Sequence, residues 1–165
     1  MEHHTFIKLI AAETKTWRDM ELTLMEKEGW IDLSYRPRNN MSSLGWVLAH
    51  QAMVLDYTLN TLILGDKPVN PEIFSKYRPG TDGSWDGISL KDILELYDSL
   101  ETNFLEWAKS ATVQDFSRVV SGDSIPSFFC GKTVLEIILS TFTHLDYHTG
   151  HLSAIRKDWL STRTS

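Results

Sequence analysis

Four long stretches without proline constrain the fold most strongly, because each repeats hydrophobic residues at the spacing of an α-helix. They cover residues 4–28, 43–64, 89–109 and 133–159 of the 165-residue sequence. The last three begin with residues that favour helix N-termini, namely Ser43, Ser89 with Asp92, and Thr133 with Glu136. Residues 117–121 suggest only a short extended segment. The sequence therefore predicts an all-α four-helix bundle that forms one domain over residues 1–165.

The hydrophobic pattern also indicates how two of these helices face the core. In the first helix, the residues that recur at helical spacing are Phe6, Ile10, Trp17, Met20, Leu24 and Met25. In the second helix, the predicted inward stripe comprises Trp46, His50, Met53, Val54 and Tyr57.

A long connection rich in Gly, Pro, Asn and Asp joins the second and third helices over residues 65–87. A connection of this length is uncommon in a compact domain. We therefore expect it to cross the length of the bundle, so that the helices it joins need not be antiparallel neighbours. Its aromatic residues Phe74, Tyr77 and Trp85 are expected to cover one end of the bundle.

Charge and composition argue against several classes of function. The formal net charge is -6 and no segment concentrates Lys and Arg, so the sequence does not favour binding to nucleic acid. No stretch has the roughly 18–20 apolar residues that span a bilayer. Cys130 is the single cysteine, and we expect it to be a small core or loop residue rather than a catalytic one. Together these features predict a cytoplasmic protein that acts on neither nucleic acid nor membranes.

The fourth helix carries three histidines on one face. Because an α-helix turns about 100° per residue, His148 lies about 40° from His144 and His151 lies about 20° away on the other side. Ile137 and Ile155 fall on the same stripe, which indicates that the histidines face inward.

Three explanations for this face remain open from the residues alone. The histidines could be hydrogen-bonded groups that make one end of the bundle polar, or they could form a pH switch, since clustered imidazoles repel when protonated. They could also bind a metal, because imidazoles at i and i+4 can reach one ion. A metal needs a further ligand, and His50 on the inward stripe of the second helix is the candidate.

At the level of motifs, the chain resembles the DinB-like (DinB/YfiT) superfamily. Residues 44–65 (LGWVLAHQAMVLDYTLNTLILG) and 143–156 (THLDYHTGHLSAIR) carry the resemblance. The family pattern is a histidine in helix two followed by His-x-x-x-His-x-Gly-Gln-Leu in helix four. The three ligand positions of that pattern fall on His50, His144 and His148, whereas His151 stands where the family usually has glutamine.

The resemblance implies a bundle with up-down-down-up helix order and one divalent metal ion, most often zinc or nickel, held by the three histidines. Some relatives are S-transferases or isomerases that use a low-molecular-weight thiol, and many have no assigned activity. The chain is thus expected to bind a metal and to activate a thiol for transfer to a small electrophile. A metal-dependent hydrolase and a non-catalytic, stress-related metal-binding module are the alternatives.

The chemistry of such a site does not choose between these alternatives. Three nitrogen ligands leave zinc with open positions, where a water can be acidified to a pKa of roughly 7 or a thiol held as thiolate. No general base is evident, because Asp56 and Asp146 are predicted to point away from the histidines, and the catalytic residues remain unknown. The candidates for groups beside the ligands or facing the substrate are His151, Trp46, Tyr57 and Tyr147.

Two further features suggest a homodimer. Helix four carries Leu135, Leu139 and Phe142 on the side away from the histidines, so that it is apolar nearly all round and needs cover there. Gly150 weakens the helix by about 1 kcal/mol relative to Ala, which a close helix approach near the metal or at a dimer contact would explain. A second subunit or the long connection could cover this face.

Overall fold

The computed structural model describes residues 2–37, 41–85, 87–122 and 125–163. Its helices are α1 (His3–Lys27), α2 (Leu44–Asp56), α3 (Pro71–Tyr77), α4 (Leu90–Ser110), α5 (Val113–Ser117) and α6 (Val134–Arg163), and α2 continues as a π-helix over Tyr57–Ile63. The described residues form no strand, and a single antiparallel bridge joins Val119 to Thr133. The predicted all-α fold is confirmed, and the four predicted stretches correspond to α1, α2 with its π-helix, α4 and α6.

The starts of three long helices are fixed by the capping residues that the sequence predicted. Ser43 accepts a hydrogen bond from the backbone N–H of Trp46, and Ser89 accepts one from Asp92. At α6, the Glu136 carboxylate accepts from the backbone N–H of Thr133 at 2.7 Å, which completes a capping box. The short helices α3 and α5 were not predicted, because seven and five residues are too few to show a periodic pattern.

Two apolar clusters fix the directions of the four long helices. The first joins the early part of α1 and α6 to the late part of α2 and α4, and includes Ile7, Leu55, Phe104 and Phe142. The second joins the opposite ends of the same helices, and includes Met25, Leu48, Ile93 and Ile155. Hence α1 and α6 run one way while α2 and α4 run the other, which is the up-down-down-up order. Neighbouring pairs are α1 with α6, α6 with α2, α2 with α4, and α4 with α1.

The connection between α2 and α4 must return along the bundle because these two helices are parallel. Tyr77 and Trp85 pack into the second apolar cluster, next to the start of α4, as predicted. Phe74 lies elsewhere, since its ring stacks on Tyr57 with centroids 5.4 Å apart. Asp56 anchors the returning chain, because its buried carboxylate accepts hydrogen bonds from the backbone N–H groups of Val69 and Asn70.

Two expectations about helix faces hold only in part. On α1, Trp17 and Met20 are exposed, and the buried face instead includes the polar residues Thr14 and Arg18. The pattern was misleading because Arg18 is accommodated by stacking on an aromatic ring of α4. On α6, the face expected to need a partner is covered only in part within the chain, because Phe142 is fully buried and α5 packs against α6, whereas Leu139 is 44% exposed.

Along the described part of the chain, every helix is too short or too polar to cross a bilayer.

Candidate metal centre

The three histidines that match the ligand pattern lie together at the interface of α2 and α6. The Nε2 atom of His144 is 3.2 Å from that of His50 and 3.1 Å from that of His148. Each of the three residues offers a ring nitrogen within 4.8 Å of the others. Nitrogens about 2.0–2.1 Å from one tetrahedral zinc ion are about 3.3 Å apart, so the observed separations fit such an ion.

The hydrogen bonds of His50 fix its protonation. Its Nδ1 atom lies 2.6 Å from the backbone carbonyl oxygen of Tyr77. A carbonyl oxygen only accepts, so Nδ1 carries the proton and the neutral ring presents a lone pair at Nε2. This carbonyl is an outer partner of the kind that orients metal-binding histidines. This partner of His50 could not be predicted, because a backbone carbonyl has no sequence signature.

His148 is oriented in a similar way by His151. The Nδ1 atoms of the two rings are 3.2 Å apart, while the Nε2 atom of His148 faces His144. When the Nδ1–H of His148 donates to His151, the Nε2 atom of His148 carries a lone pair. This lone pair faces the same point as the Nε2 lone pair of His50. If the Nε2 atom of His144 carries a proton, this single N–H faces two lone pairs and cannot satisfy both well. One cation, by contrast, can accept a lone pair from all three rings.

The surroundings keep these rings neutral. Burial lowers the pKa of His50 to about 4 and the pKa of His148 to about 2, and the other histidines add to this effect. Burial also lowers the pKa of His144 and of His151. The lone pairs are therefore available at neutral pH. His144 is exposed while His50 and His148 are buried, so the centre is accessible at His144.

Aromatic side chains surround the histidines unevenly. Trp46 stacks on His50, with centroids 4.6 Å apart and ring planes at 11°, and its indole N–H donates to Thr81. Tyr147 is 61% exposed and packs beside His151 on the outer surface of α6. Trp46 thus forms a buried wall of the centre, whereas Tyr147 flanks it on the exposed side, with its ring centroid 5.3 Å from that of His148 and 6.2 Å from that of His144.

A cavity of about 420 Å³ opens beside His50 and His144. Its walls are mainly apolar and include Phe74, Phe128 and Phe129. The π-helix supplies Tyr57 and Thr58 to the lining, so Tyr57 faces the cavity, where its ring stacks on that of Phe74. π-Helical turns within helices are frequent at functional sites. A wider groove of about 910 Å³ shares Tyr57 and Phe74, but no histidine lines it in the described chain.

The two aspartates considered as general bases do not serve the centre. The buried carboxylate of Asp56 is engaged by the returning connection, and Asp146 is exposed on α6. No Asp or Glu belongs to the described lining of the cavity. Three residues of the lining could not be singled out from the sequence, because Phe128 and Phe129 lie in the turn over residues 127–131, Lys132 follows it, and this segment has no recognisable motif.

Fold and site together define an all-α bundle in which histidines from two facing helices converge, as in bundles that bind metals in their interior. The family model of the DinB superfamily matches residues 30–152, and the chain belongs to this superfamily. No curated protein matches the chain.

Proposed function

We propose that this chain binds one divalent metal ion, zinc or nickel, through His50, His144 and His148 and uses it to activate a low-molecular-weight thiol for transfer to a small electrophile. One observation carries the proposal. Three Nε2 atoms converge at separations of 3.1 and 3.2 Å beside an apolar cavity. Membership of the DinB superfamily supports the same ligand set.

Three protein ligands leave a metal ion with a free position, and a bound thiol would be held there in its reactive thiolate form. The chain's own residues hold and shield this position. The Tyr77 carbonyl and His151 orient two of the ligands, and Trp46 covers the ring of His50. The mainly apolar cavity beside His50 and His144 would receive the electrophile.

The transfer step needs no carboxylate base. A metal held by His50, His144 and His148 would supply the thiol in its deprotonated form, with the proton lost to solvent, so that its sulfur would form the bond to an electrophilic carbon while the leaving group departed with the electron pair of the broken bond. Hydrolysis is less well supported, because a water nucleophile benefits from a positioned general base and no Asp or Glu belongs to the described cavity lining.

The test has two parts. Elemental analysis of protein purified without a histidine tag should find about one zinc or nickel per chain. Turnover of 1-chloro-2,4-dinitrobenzene with a panel of small thiols should then depend on that metal and be lost after chelation. Metal-dependent cleavage of p-nitrophenyl acetate without thiol would instead indicate the hydrolase, and metal binding with neither activity would indicate the binding module.

We also propose a homodimer, on a surface other than the one first expected. Leu9, Trp17 and Met20 of α1 are exposed, and Gly150 lines a groove with Trp17 on the same side. A Cβ atom at Gly150 would meet nothing within 4 Å, so packing within the chain does not require a glycine there. Sedimentation at high micromolar concentration should give a dimer mass, and Gly150→Arg should shift it to the monomer.

A further inference from the structure

The cavity beside the histidines differs in charge from the rest of the protein. The chain has 22 acidic and 16 basic residues, yet its described cavity lining contains Arg78 and Lys132 and no acidic residue. No described carboxylate forms an ion pair with either cation. Both charges are therefore available to a ligand in this cavity.

Lys132 is held close to the candidate metal centre. Its ammonium donates to the hydroxyl of Ser140 at 3.5 Å and lies 5.8 Å from the ring centre of Phe129. Ser140 precedes His144 by one helical turn, which is about 6 Å along the axis. Glu136 also lies near Lys132, but its carboxylate is bound by the backbone N–H and hydroxyl of Thr133.

The remaining walls favour a flat apolar group. Phe74, Phe128 and Phe129 line the cavity together with Met53 and Val54. A volume of about 420 Å³ is large enough for a small molecule with one ring, since ligand pockets commonly measure about 300–1,000 Å³. A ligand complementary to both the apolar and the cationic residues of this lining would combine an aromatic or branched body with one anionic group.

We propose that this cavity binds a small organic acid whose apolar body packs among the phenylalanines and whose carboxylate is bound by Lys132 and Arg78. The proposal rests on the proposed function in one respect, since it places the acid next to the metal-activated thiol. It makes the electrophile an anion and assigns specificity to two residues that are not metal ligands.

The test compares 4-phenylbutyrate with its uncharged amide by isothermal titration calorimetry on the purified, metal-containing protein without thiol. The carboxylate should bind about 10-fold or more tightly than the amide, as expected for a charge-assisted hydrogen bond. Lys132→Met should remove most of this preference, and the Lys132→Met/Arg78→Met variant should remove it completely. Lys91→Met, at an exposed position on α4, makes the same change of charge outside the cavity and should leave the preference intact.

Equal binding of acid and amide by the unaltered protein would overturn the proposal, and so would the absence of binding by either. A preference that persists in the double variant would overturn it as well, because the carboxylate would then bind the metal rather than the two cations. These outcomes are independent of catalysis. Carboxylate selectivity without thiol transfer would leave this proposal standing and remove the proposed function, and thiol transfer without selectivity would do the reverse.

Discussion

Two groups of buried polar side chains interrupt the apolar core on opposite sides of the bundle, and they are built differently. Between α2 and α6, the rings of His50 and His148 have partners at their Nδ1 atoms, and the Nε2 atoms of both rings approach that of His144. Between α1 and α4, Arg18 stacks on the ring of Tyr97 at 4.0 Å, and Glu101 lies nearby. There, one atom each of Arg18, Tyr97 and Glu101 is buried without a hydrogen-bond partner among the described residues.

A binding centre can be distinguished from a tolerated polar core by whether one bound species would satisfy its unpaired polar groups. Buried polar atoms are costly unless they are paired, so both groups lower the stability that an apolar interior would give. In the histidine group, the unpaired groups are nitrogen lone pairs that face one point, and a single cation there would satisfy all of them. In the Arg18 group, the unpartnered atoms belong to a guanidinium, a phenol and a carboxyl group, and a cation would not satisfy the guanidinium nitrogen. We infer that the first group serves chemistry and the second serves packing, and substitutions at four positions test this division.

The largest effect is expected at His50. Replacement by alanine removes the α2 ligand and leaves only two candidate ligands, both on α6, so stoichiometric metal binding should be abolished. His4→Ala, which removes a histidine from α1 outside the centre, should retain about one metal per chain. Both are measured by elemental analysis of untagged protein after dialysis. Full metal occupancy in His50→Ala would show that the proposed assignment of the metal to the interface of α2 and α6 is wrong.

The next largest effect should come from the other group and should concern stability alone. Arg18 is 2% exposed, and Arg18→Ala removes its stacking on Tyr97 and leaves a cavity. We expect a loss of about 2–4 kcal/mol in the free energy of unfolding, measured by urea denaturation.

Arg18→Met, which keeps most of the volume, should be within about 1 kcal/mol of the unaltered protein. The metal content per folded chain should not change in either variant. If Arg18→Ala lost its metal as completely as His50→Ala, the two polar groups would form one functional unit and the division would fail.

The same division explains how much could be predicted from the sequence. The histidine face was visible because His144 and His148 recur at helical spacing and His50 interrupts an apolar stripe. The Arg18 group could not be predicted, because the sequence around an arginine on α1 does not indicate that an aromatic ring on α4 will cover it. Helix order was predicted from the family resemblance and the long connection, and the two apolar clusters confirm it.

What escaped prediction depends on tertiary contacts. The Tyr77 carbonyl reaches His50 across 27 positions of sequence, and no residue type encodes a backbone acceptor. Lys132 is brought to the cavity by the turn before α6 and carries no motif. Trp17 was expected in the repeating pattern of α1 and lies at the surface, because helical spacing alone does not say which of two neighbouring stripes turns inward.

A smaller effect is expected at His151, whose Nδ1 atom contacts the Nδ1 atom of the candidate ligand His148. His151→Leu removes the group that orients His148 and should weaken metal affinity about 10–100-fold, measured by competition with a chromophoric chelator. His151→Gln restores the residue usual in the family and should bind metal nearly as well as the unaltered protein, since an amide oxygen can accept the same hydrogen. Any pH dependence of ligand binding should change in that variant. Loss of metal in His151→Gln would make His151 a ligand itself.

The smallest effect concerns Glu101, in the group that we assign to packing. Burial raises the pKa of the Glu101 carboxyl, and this outweighs the opposing charges of Lys15 and Arg18. A carboxyl whose pKa is raised by folding binds its proton more tightly in the folded state. It therefore lowers stability as the pH rises through the interval between its unfolded and folded pKa values, and the full cost is present above that interval.

Glu101→Gln removes this charge while keeping the shape of the side chain. It should raise the melting temperature at pH 7 by about 2–4 °C, and the gain should vanish below pH about 4, where the unaltered carboxyl is protonated in both states. Glu95→Gln on the exposed face of α4 is the matched control and should show no comparable gain. Thermal melts followed by circular dichroism at several pH values measure both variants, with the metal content recorded alongside. A loss of stability at pH 7 in Glu101→Gln would mean that this carboxylate is held by favourable contacts, and the contrast with the histidine group would then be smaller than the structure indicates.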